Sequence, residues 1–289
     1  MALDNLISYS QNKEGAIIVI DGGDGSGKTR QTALLINELN KIEETSNASL
    51  EVGTLDFPQY GKNVFADFTG RYLNGEFGDA SKMNPYFIIP YFALDRFSEK
   101  KNLLKFREKG NIGILNRYTT SNLGHQAAKF SDVNEAWKCA SFIEHMEYDV
   151  LGLPRPNLVF YLDVPWEIGK LLIMAKKERA YTNGKILDGH EASAEYQDKA
   201  AFFFRELCKS RAPNKTEHES WIRIDCSRHD DCASEKVKEL ENFLISDFTE
   251  EGKAKVKDEI SRTLLLSPEE IHEKITEGAD EYFKSELLK

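Results

Sequence analysis

The chain has few cysteines and no long apolar run. Its 289 residues include four cysteines, Cys139, Cys208, Cys226 and Cys232, whose spacing is not that of a metal-binding motif. The first residues are mostly polar and lack the apolar core of a signal peptide, so these thiols indicate a reduced, cytoplasmic protein. Because no apolar run approaches the length that spans a bilayer, we expect no membrane association.

Positive charge is also scarce. The chain has 38 basic and 48 acidic residues, which gives a formal net charge of −10. A protein that binds a nucleic-acid polymer needs a basic face, so we expect no such partner. A nucleotide site remains compatible with this charge, because a few local cations and backbone amides are enough to hold phosphate groups.

Residues 22–29 form a complete phosphate-binding loop of the pattern G-x-x-x-x-G-K-[ST]. The apolar run 16–20 before it predicts a buried strand, and 32–39 after it predicts a helix. We expect Lys28 to reach the β- and γ-phosphates of ATP and the Thr29 hydroxyl to bind Mg²⁺. The residues that this motif assigns to ATP are Gly22, Gly23, Gly25, Ser26, Gly27, Lys28, Thr29 and Arg30.

Strand-like and helix-like segments alternate along the chain, which is typical of an α/β fold with a parallel sheet. The five predicted strands are 16–20, 51–57, 111–115, 158–162 and 221–224. The predicted helices between them are 32–39, 84–109, 136–150, 166–177 and 191–211. Pro90 should kink the helix 84–109 or mark its start.

The last part of the chain predicts two special segments. Residues 181–185 are polar and turn-rich, lie between two predicted helices, and indicate a lid over about 178–190. From 247 onward the chain is charged and helical, and Ser267, Pro268 and Glu270 predict a capped helix start. An apolar stripe follows, which we expect to pack against the protein itself or a second subunit: Ile271, Ile275, Ala279, Tyr282, Phe283 and Leu287. The division is therefore a kinase domain over 1–246 and a helical extension over 247–289.

A phosphate loop alone does not define a function. Five further segments follow it in order, namely 57–61, 92–96, 116–122, 161–165 and 188–191. Together they resemble the bacterial thymidylate kinases from about residue 16 to residue 242. The resemblance implies a P-loop nucleoside monophosphate kinase fold, transfer of the γ-phosphoryl group of ATP to dTMP, dependence on Mg²⁺, and a homodimer.

A kinase of this kind must hold two anionic substrates in line, so cations should converge from several elements. Lys28, Arg96 and Arg117 are expected at the carboxyl edge of the sheet, where α/β proteins bind ligands. The catalytic residues that the resemblance implies are Lys28, Arg117, Asp24 and Arg179. The metal ligands are Thr29 and Glu191, although Glu191 also fits a helix-start acid. The residues implied for dTMP are Asp24, Phe57, Tyr60, Phe92, Arg96, Arg117, Ser121, Asn122 and His125.

By resemblance, Phe92 stacks on thymine, and Arg96 bonds a base carbonyl from the next helical turn. Arg117 holds the acceptor phosphate, and His125 lies near the sugar 2′ position. Other interpretations stay open: Phe92 as ordinary core, Arg96 in a surface ion pair with Asp95 or Glu99, and His125 as a surface histidine.

Two departures from the family pattern bear on activity. The lid region has few arginines and several lysines, so the lid residue that contacts the transferred phosphoryl group is open. The family usually has Asp at the position of Asn116, and Asn lacks that charge. A related nucleoside or nucleotide kinase, and a nucleotide-binding homologue with weak or no turnover, therefore stay as alternatives. A GTPase is rejected, because the nearest guanine-reading pattern, 214–217, precedes the last strand instead of following one.

Overall fold

The protein is built on a five-stranded parallel sheet, as the sequence predicts. This computed structural model describes residues 3–46, 50–176, 194–213, 219–228 and 233–289. The strands are β1 (Ala16–Gly22), β2 (Glu51–Asp56), β3 (Asn111–Asn116), β4 (Leu158–Asp163) and β5 (Ser220–Asp225). Their order in the sheet is β2-β3-β1-β4-β5. Because β1 lies in the centre and every residue of it is buried, its carboxyl end is surrounded by other elements.

Helices cover both faces of the sheet in the described residues. They are α1 (Asp4–Asn12), α2 (Lys28–Ser46), α3 (Val64–Leu73), α4 (Pro85–Ser98), α5 (Lys100–Lys105), α6 (Thr119–Ala127), α7 (Val133–Glu144), α8 (Trp166–Met174), α9 (Ala194–Ser210), α10 (Ala233–Ser246), α11 (Glu250–Thr263) and α12 (Pro268–Leu287). Residues His145–Val150 continue α7 as a π-helical turn. Alternate residues of β1 separate the two cores: Ile18 and Ile20 face α1, α2 and α12, whereas Ile17 and Val19 face α6, α7 and α9.

The predicted helix 84–109 is wrong in its extent. Asn84 caps α4 and Pro85 is its first residue, so Pro90 lies inside the helix and does not mark its start. At Glu99 the backbone turns out of the helical conformation, and the short α5 follows. The chain therefore changes direction before β3, and Leu103 of α5 joins the core beside Ile89 of α4.

The prediction for the C-terminal helix is confirmed. Ser267 and Glu270 form a full capping box at the start of α12. The apolar stripe packs against this chain, since Ile275, Ala279 and Phe283 lie in the same core cluster as β1 and β4. Phe283 contacts Tyr9 of α1, with ring centroids 4.9 Å apart. Residues 247–289 thus share the core of the sheet, while their treatment as a separate unit stays a prediction.

Four helices that the sequence analysis does not predict are α1, α3, α6 and α10. The polar residues of α1 conceal a buried face with Leu6 and Ile7, which packs under α12. The predicted helix 136–150 is α7 with its π-helical extension, and α9 covers most of the predicted helix 191–211. The proposed lid, 178–190, lies outside the described residues. None of the described helices is long and apolar enough to cross a membrane.

Candidate active site

The phosphate loop connects β1 to α2 at the carboxyl edge of the sheet. Gly25 and Gly27 have φ angles of 80° and 88°, which glycine adopts without strain. A Cβ atom on Gly25 would lie 2.5 Å from the Gly169 carbonyl oxygen of α8, so no larger residue fits there. These glycines let the loop turn tightly and leave its backbone amides at the start of α2, where phosphate binds favourably.

Lys28 folds back onto its own loop. Its Nζ donates hydrogen bonds to the carbonyl oxygens of Gly22 and Gly23, at 3.1 and 2.7 Å. Burial, followed by the nearby Arg117 charge, lowers the pKa of Lys28 to about 7. Asp24 lies 3.9 Å away and opposes this shift. A phosphate bound in the loop would place a negative charge beside the Lys28 ammonium group and so raise the pKa of Lys28.

Arg117 joins the phosphate loop to the acceptor side of the site. It follows β3 with a φ angle of 64°, an uncommon conformation for a residue with a side chain. Its Nη2 contacts Asp24 Oδ1 at 2.5 Å, and its Nη1 lies 3.4 Å from His125 Nε2. Beneath it, the fully buried Asp21 accepts hydrogen bonds from Thr120 and Ser121 at 2.6 and 2.8 Å. Asp21 was not identified from sequence, because it reads as the last residue of a buried strand.

A pocket of about 340 Å³ extends from the phosphate loop along this edge. That volume is within the range of small-molecule sites. Its wall brings together Asp24, Thr29, Asp56, Phe57, Pro58, Tyr60, Leu73, Phe92, Arg96, Arg117, Ser121, Asn122, His125 and Gln126. All the residues predicted for dTMP therefore line one cavity, which supports their assignment as a group.

Arg96 is held by a carboxylate that sequence reasoning missed. Its Nε and Nη2 donate to the two carboxylate oxygens of Glu147, at 2.6 and 2.5 Å, and both side chains are fully buried. The surface ion pair with Asp95 or Glu99 is therefore wrong. Asn122 Nδ2 also donates to Glu147, at 3.0 Å, and Thr119 donates at 2.7 Å.

Glu147 lies in the π-helical turn after α7, 51 positions from Arg96. π-Helical turns are frequent at functional sites. A glutamate near the end of a predicted helix resembles a solvent-facing residue, so the sequence offers no signal for it except the need of a buried arginine for a partner.

Several of the remaining pocket residues are aromatic. Phe92 is partly buried and meets Tyr72 edge-on, with ring centroids 6.5 Å apart. Phe57 belongs to the core and also lines the pocket, near Tyr118 at 6.1 Å. His125 packs against Tyr196 and Phe204, so it is not a surface histidine. Burial and then the Arg117 charge lower the pKa of His125 to about 4, and the ring is neutral at pH 7.

Asn116 and Asp56 end the neighbouring strands β3 and β2 beside the phosphate loop. Asn116 Nδ2 donates to Thr29 Oγ1 at 3.2 Å. Desolvation raises the pKa of Asp56, and the charges of Arg117, Lys28 and Lys62 oppose this shift. In the described residues no group of three His, Cys, Asp or Glu side chains could hold a resident metal ion. The oxygen donors of Thr29, Asp24 and Asp56 instead fit an ion that binds together with phosphates.

Two predicted groups are not part of this cavity as described. Arg30 lies on the first turn of α2, and its Nη2 contacts Glu269 of α12 at 3.1 Å, so its role toward ATP stays a prediction. Arg179 and Glu191 lie outside the described residues, as do the lid lysines Lys177 and Lys185. Lys176, just before them, lies close enough for its charge to lower the pKa of Lys28.

The parallel sheet, the phosphate loop and a pocket with arginines opposite the loop define a P-loop nucleoside monophosphate kinase. A family model described as thymidylate kinase matches residues 20–220. The thymidylate kinase of Mycobacterium tuberculosis is 32% identical over 191 residues, covering 66% of this chain and 85% of that protein. The thymidylate kinase of Arabidopsis thaliana is 27% identical over 247 residues, covering 84% of this chain and 77% of that protein.

Among solved structures, the thymidylate kinase of Candida albicans matches with a TM-score of 0.50 and 19% identity, over 81% of this chain and 92% of that one. At this identity the match concerns the fold. The chain belongs to the thymidylate kinase family. It is thus a phosphotransferase, and the prediction of dTMP phosphorylation with ATP is confirmed at the level of the family.

Proposed function

We propose that this chain transfers the γ-phosphoryl group of ATP to dTMP, giving dTDP and ADP, with Mg²⁺ accompanying the donor phosphates. The observation that carries the proposal is the position of Arg117. It contacts Asp24 of the phosphate loop on one side and lies within 3.5 Å of Ser121 and His125 of the acceptor pocket on the other. A cation in this place can hold an acceptor phosphate facing the γ-phosphate.

On the donor side, the loop amides and Lys28 bind the phosphates of ATP. Lys28 exchanges its two carbonyl partners for phosphate oxygens and carries a full positive charge in the complex. Thr29, Asp24 and Glu191 would hold the metal. When bound, Mg²⁺ neutralises part of the charge that moves between the two nucleotides. Arg179 is the lid cation proposed to contact the transferred phosphoryl group.

On the acceptor side, thymine stacks on Phe92 and meets Arg96 and Asn122 at its edge. Glu147 holds Nε and Nη2 of Arg96, which leaves Nη1 for a base carbonyl. Tyr60 and Phe57 form the opposite wall. His125 is neutral and packed between aromatic rings, so it presents a fixed surface that favours a deoxyribose.

We further propose a homodimer in the cytoplasm. Support for a subunit contact comes from large aromatic side chains left 40–42% exposed on α4 and α7, namely Tyr86, Phe87 and Phe142. Support for a reducing location comes from Cys139, Cys208 and Cys226, which are buried free thiols. Light scattering of the wild type and of Phe142→Glu tests the dimer, which is wrong if the wild type has the mass of a monomer.

An assay that couples ADP release to a panel of monophosphates (dTMP, dUMP, dCMP, dGMP and AMP) tests the reaction. We expect the highest kcat/KM with dTMP. A preference for another monophosphate would indicate a related kinase. ATP binding without ADP release in any mixture would indicate a nucleotide-binding homologue, the alternative that Asn116 favours.

A further inference from the structure

Asn116 has an incomplete set of hydrogen bonds at a position next to the phosphate loop. Its side chain is nine-tenths buried, and its Nδ2 donates to Thr29 Oγ1 at 3.2 Å. Among the described residues no group donates a hydrogen bond to its Oδ1. A buried amide oxygen without a donor costs free energy. A bound group that donates a hydrogen bond to Oδ1 would remove this cost, but Asn116 itself brings no negative charge to the position.

A carboxylate lies on the adjacent strand at the same level. In the parallel register of β2 and β3, Asp56 is the partner of Asn116. Neighbouring strands are about 4.8 Å apart, and register partners direct their side chains to the same face of the sheet. Asp56 and Asn116 thus occupy one edge of the sheet, side by side, above the start of α2.

The Asp56 carboxylate is available to a ligand. It lines the pocket together with Thr29, Asp24 and Arg117. Within the described parts of the chain no side chain or backbone group donates a hydrogen bond to it, and no cation lies within ion-pair distance. Asp24, which is also proposed to hold the metal, shares its charge with Arg117, whose Nη2 lies 2.5 Å from Asp24 Oδ1.

We propose that Asp56 supplies, from β2, the negative charge that the hydrated Mg²⁺ ion of the donor complex lacks at residue 116 of β3. This inference rests on the proposed function. Mg²⁺ usually keeps several waters and takes one or two protein carboxylates besides the phosphates. Asp56 accepts hydrogen bonds from those waters, and Asn116 holds the Thr29 hydroxyl in place.

The test removes the carboxylate at residue 56, adds one at residue 116, and combines the two changes. The proteins are the wild type, Asp56→Asn, Asn116→Asp, the double variant with both changes, and Glu51→Gln as a matched control. Glu51→Gln removes the same charge from the same strand, but at the amino end of β2. There Glu51 forms an exposed ion pair with Lys105. Thermal melting checks that each variant folds.

Metal affinity is measured directly, without turnover. Mn²⁺ is titrated into each protein in excess over a non-hydrolysable ATP analogue, and free Mn²⁺ is followed by electron paramagnetic resonance. We expect Asp56→Asn to weaken Mn²⁺ binding about tenfold, as loss of an outer-shell partner commonly does. Asn116→Asp should tighten it, the double variant should return close to the wild type, and Glu51→Gln should change nothing.

Several results would overturn the proposal. One is an Asp56→Asn affinity equal to that of Glu51→Gln. Another is a double variant that binds Mn²⁺ as weakly as Asp56→Asn does, since a carboxylate at residue 116 would then not substitute for one at residue 56. A third is an Asp56→Asn protein with a higher KM for dTMP and an unchanged Mn²⁺ affinity, which would assign Asp56 to the acceptor site. If the wild type fails to phosphorylate dTMP but the affinity pattern holds, the proposed reaction is wrong and the role of Asp56 stands.

Discussion

Glu147 and Arg96 form a buried two-point ion pair that connects the π-helical turn after α7 to α4. Both carboxylate oxygens are used, at 2.6 and 2.5 Å, and the same oxygens also accept from Thr119 and Asn122. The planar guanidinium is therefore fixed in orientation. Two residues proposed to read the base, Arg96 and Asn122, share this one support, so Glu147 is a positioning residue for the acceptor pocket.

We predict that Glu147→Gln raises the KM for dTMP about tenfold or more and leaves the KM for ATP near that of the wild type. Loss of the charge leaves Arg96 buried without a counterion, which commonly costs about 3–5 kcal/mol of folding free energy. Steady-state kinetics and denaturant unfolding measure the two effects.

Glu135→Gln on α7 is the control for this variant, because Glu135 pairs with Lys138 on the exposed surface. Its kinetics and stability should match those of the wild type. A Glu147→Gln protein that is less stable but has an unchanged KM for dTMP would limit Glu147 to a structural role.

Phe92→Ala should weaken dTMP binding without affecting ATP. Loss of a base stack costs about 1–3 kcal/mol, so we expect the KM for dTMP to rise about 5- to 150-fold. Phe97→Ala, on the exposed side of the same helix, is the control. A higher KM for ATP in Phe92→Ala would mean that the two pockets are assigned the wrong way round.

Lys28→Met should abolish turnover with the fold intact, because phosphoryl-transfer cations commonly contribute several powers of ten to the rate. Methionine fills a similar space without charge. Near-normal turnover in this variant would exclude the loop as the donor site.

The same variant tests the electrostatics of the phosphate loop without nucleotide. The pKa of Lys28 is about 7 in the folded protein, below its ordinary value of 10.5. Between these values the unfolded chain binds a proton that the folded chain lacks, so the free energy of unfolding rises with pH. Melting without nucleotide should therefore show Lys28→Met more stable than the wild type at pH 6.5, with a smaller difference at pH 9.5. Equal differences at both pH values would contradict the lowered pKa.

The parts of the site that the sequence predicts are those that depend on local pattern. The phosphate loop is contiguous, and Arg117 directly follows a strand, so both are found without a structure. Glu147 and Asp21 are missed because their importance depends on partners 51 and 99 or more positions away. Asp56 is missed for a similar reason: only the register of β2 and β3 places it beside Asn116.

The fold follows the same division. Strands with continuous apolar runs, such as β1 and β4, are predicted nearly at their true bounds. The helix α1 is missed because its apolar residues are few and pack mainly against α12, at the other end of the chain. Asn5 shows this coupling, since its backbone N and its Nδ2 donate to Asp280 of α12 at 2.9 and 2.7 Å.

The last prediction concerns α12, which begins beside the helix of the phosphate loop. Gln31 of α2 donates to the Pro268 carbonyl at 2.8 Å, and Phe283 at the other end of α12 is fully buried. Phe283→Ala should lower the free energy of unfolding by about 3–5 kcal/mol, the usual cost of truncating a core aromatic. Leu288→Ala, at an 84% exposed residue, should cost little. Since no proposed catalytic residue lies in 247–289, kcat per folded molecule should stay the same in both. Denaturant unfolding and active-site titration together give the fraction of folded, active protein. A fall in kcat for folded Phe283→Ala would then mean that α12 affects the phosphate loop through α2.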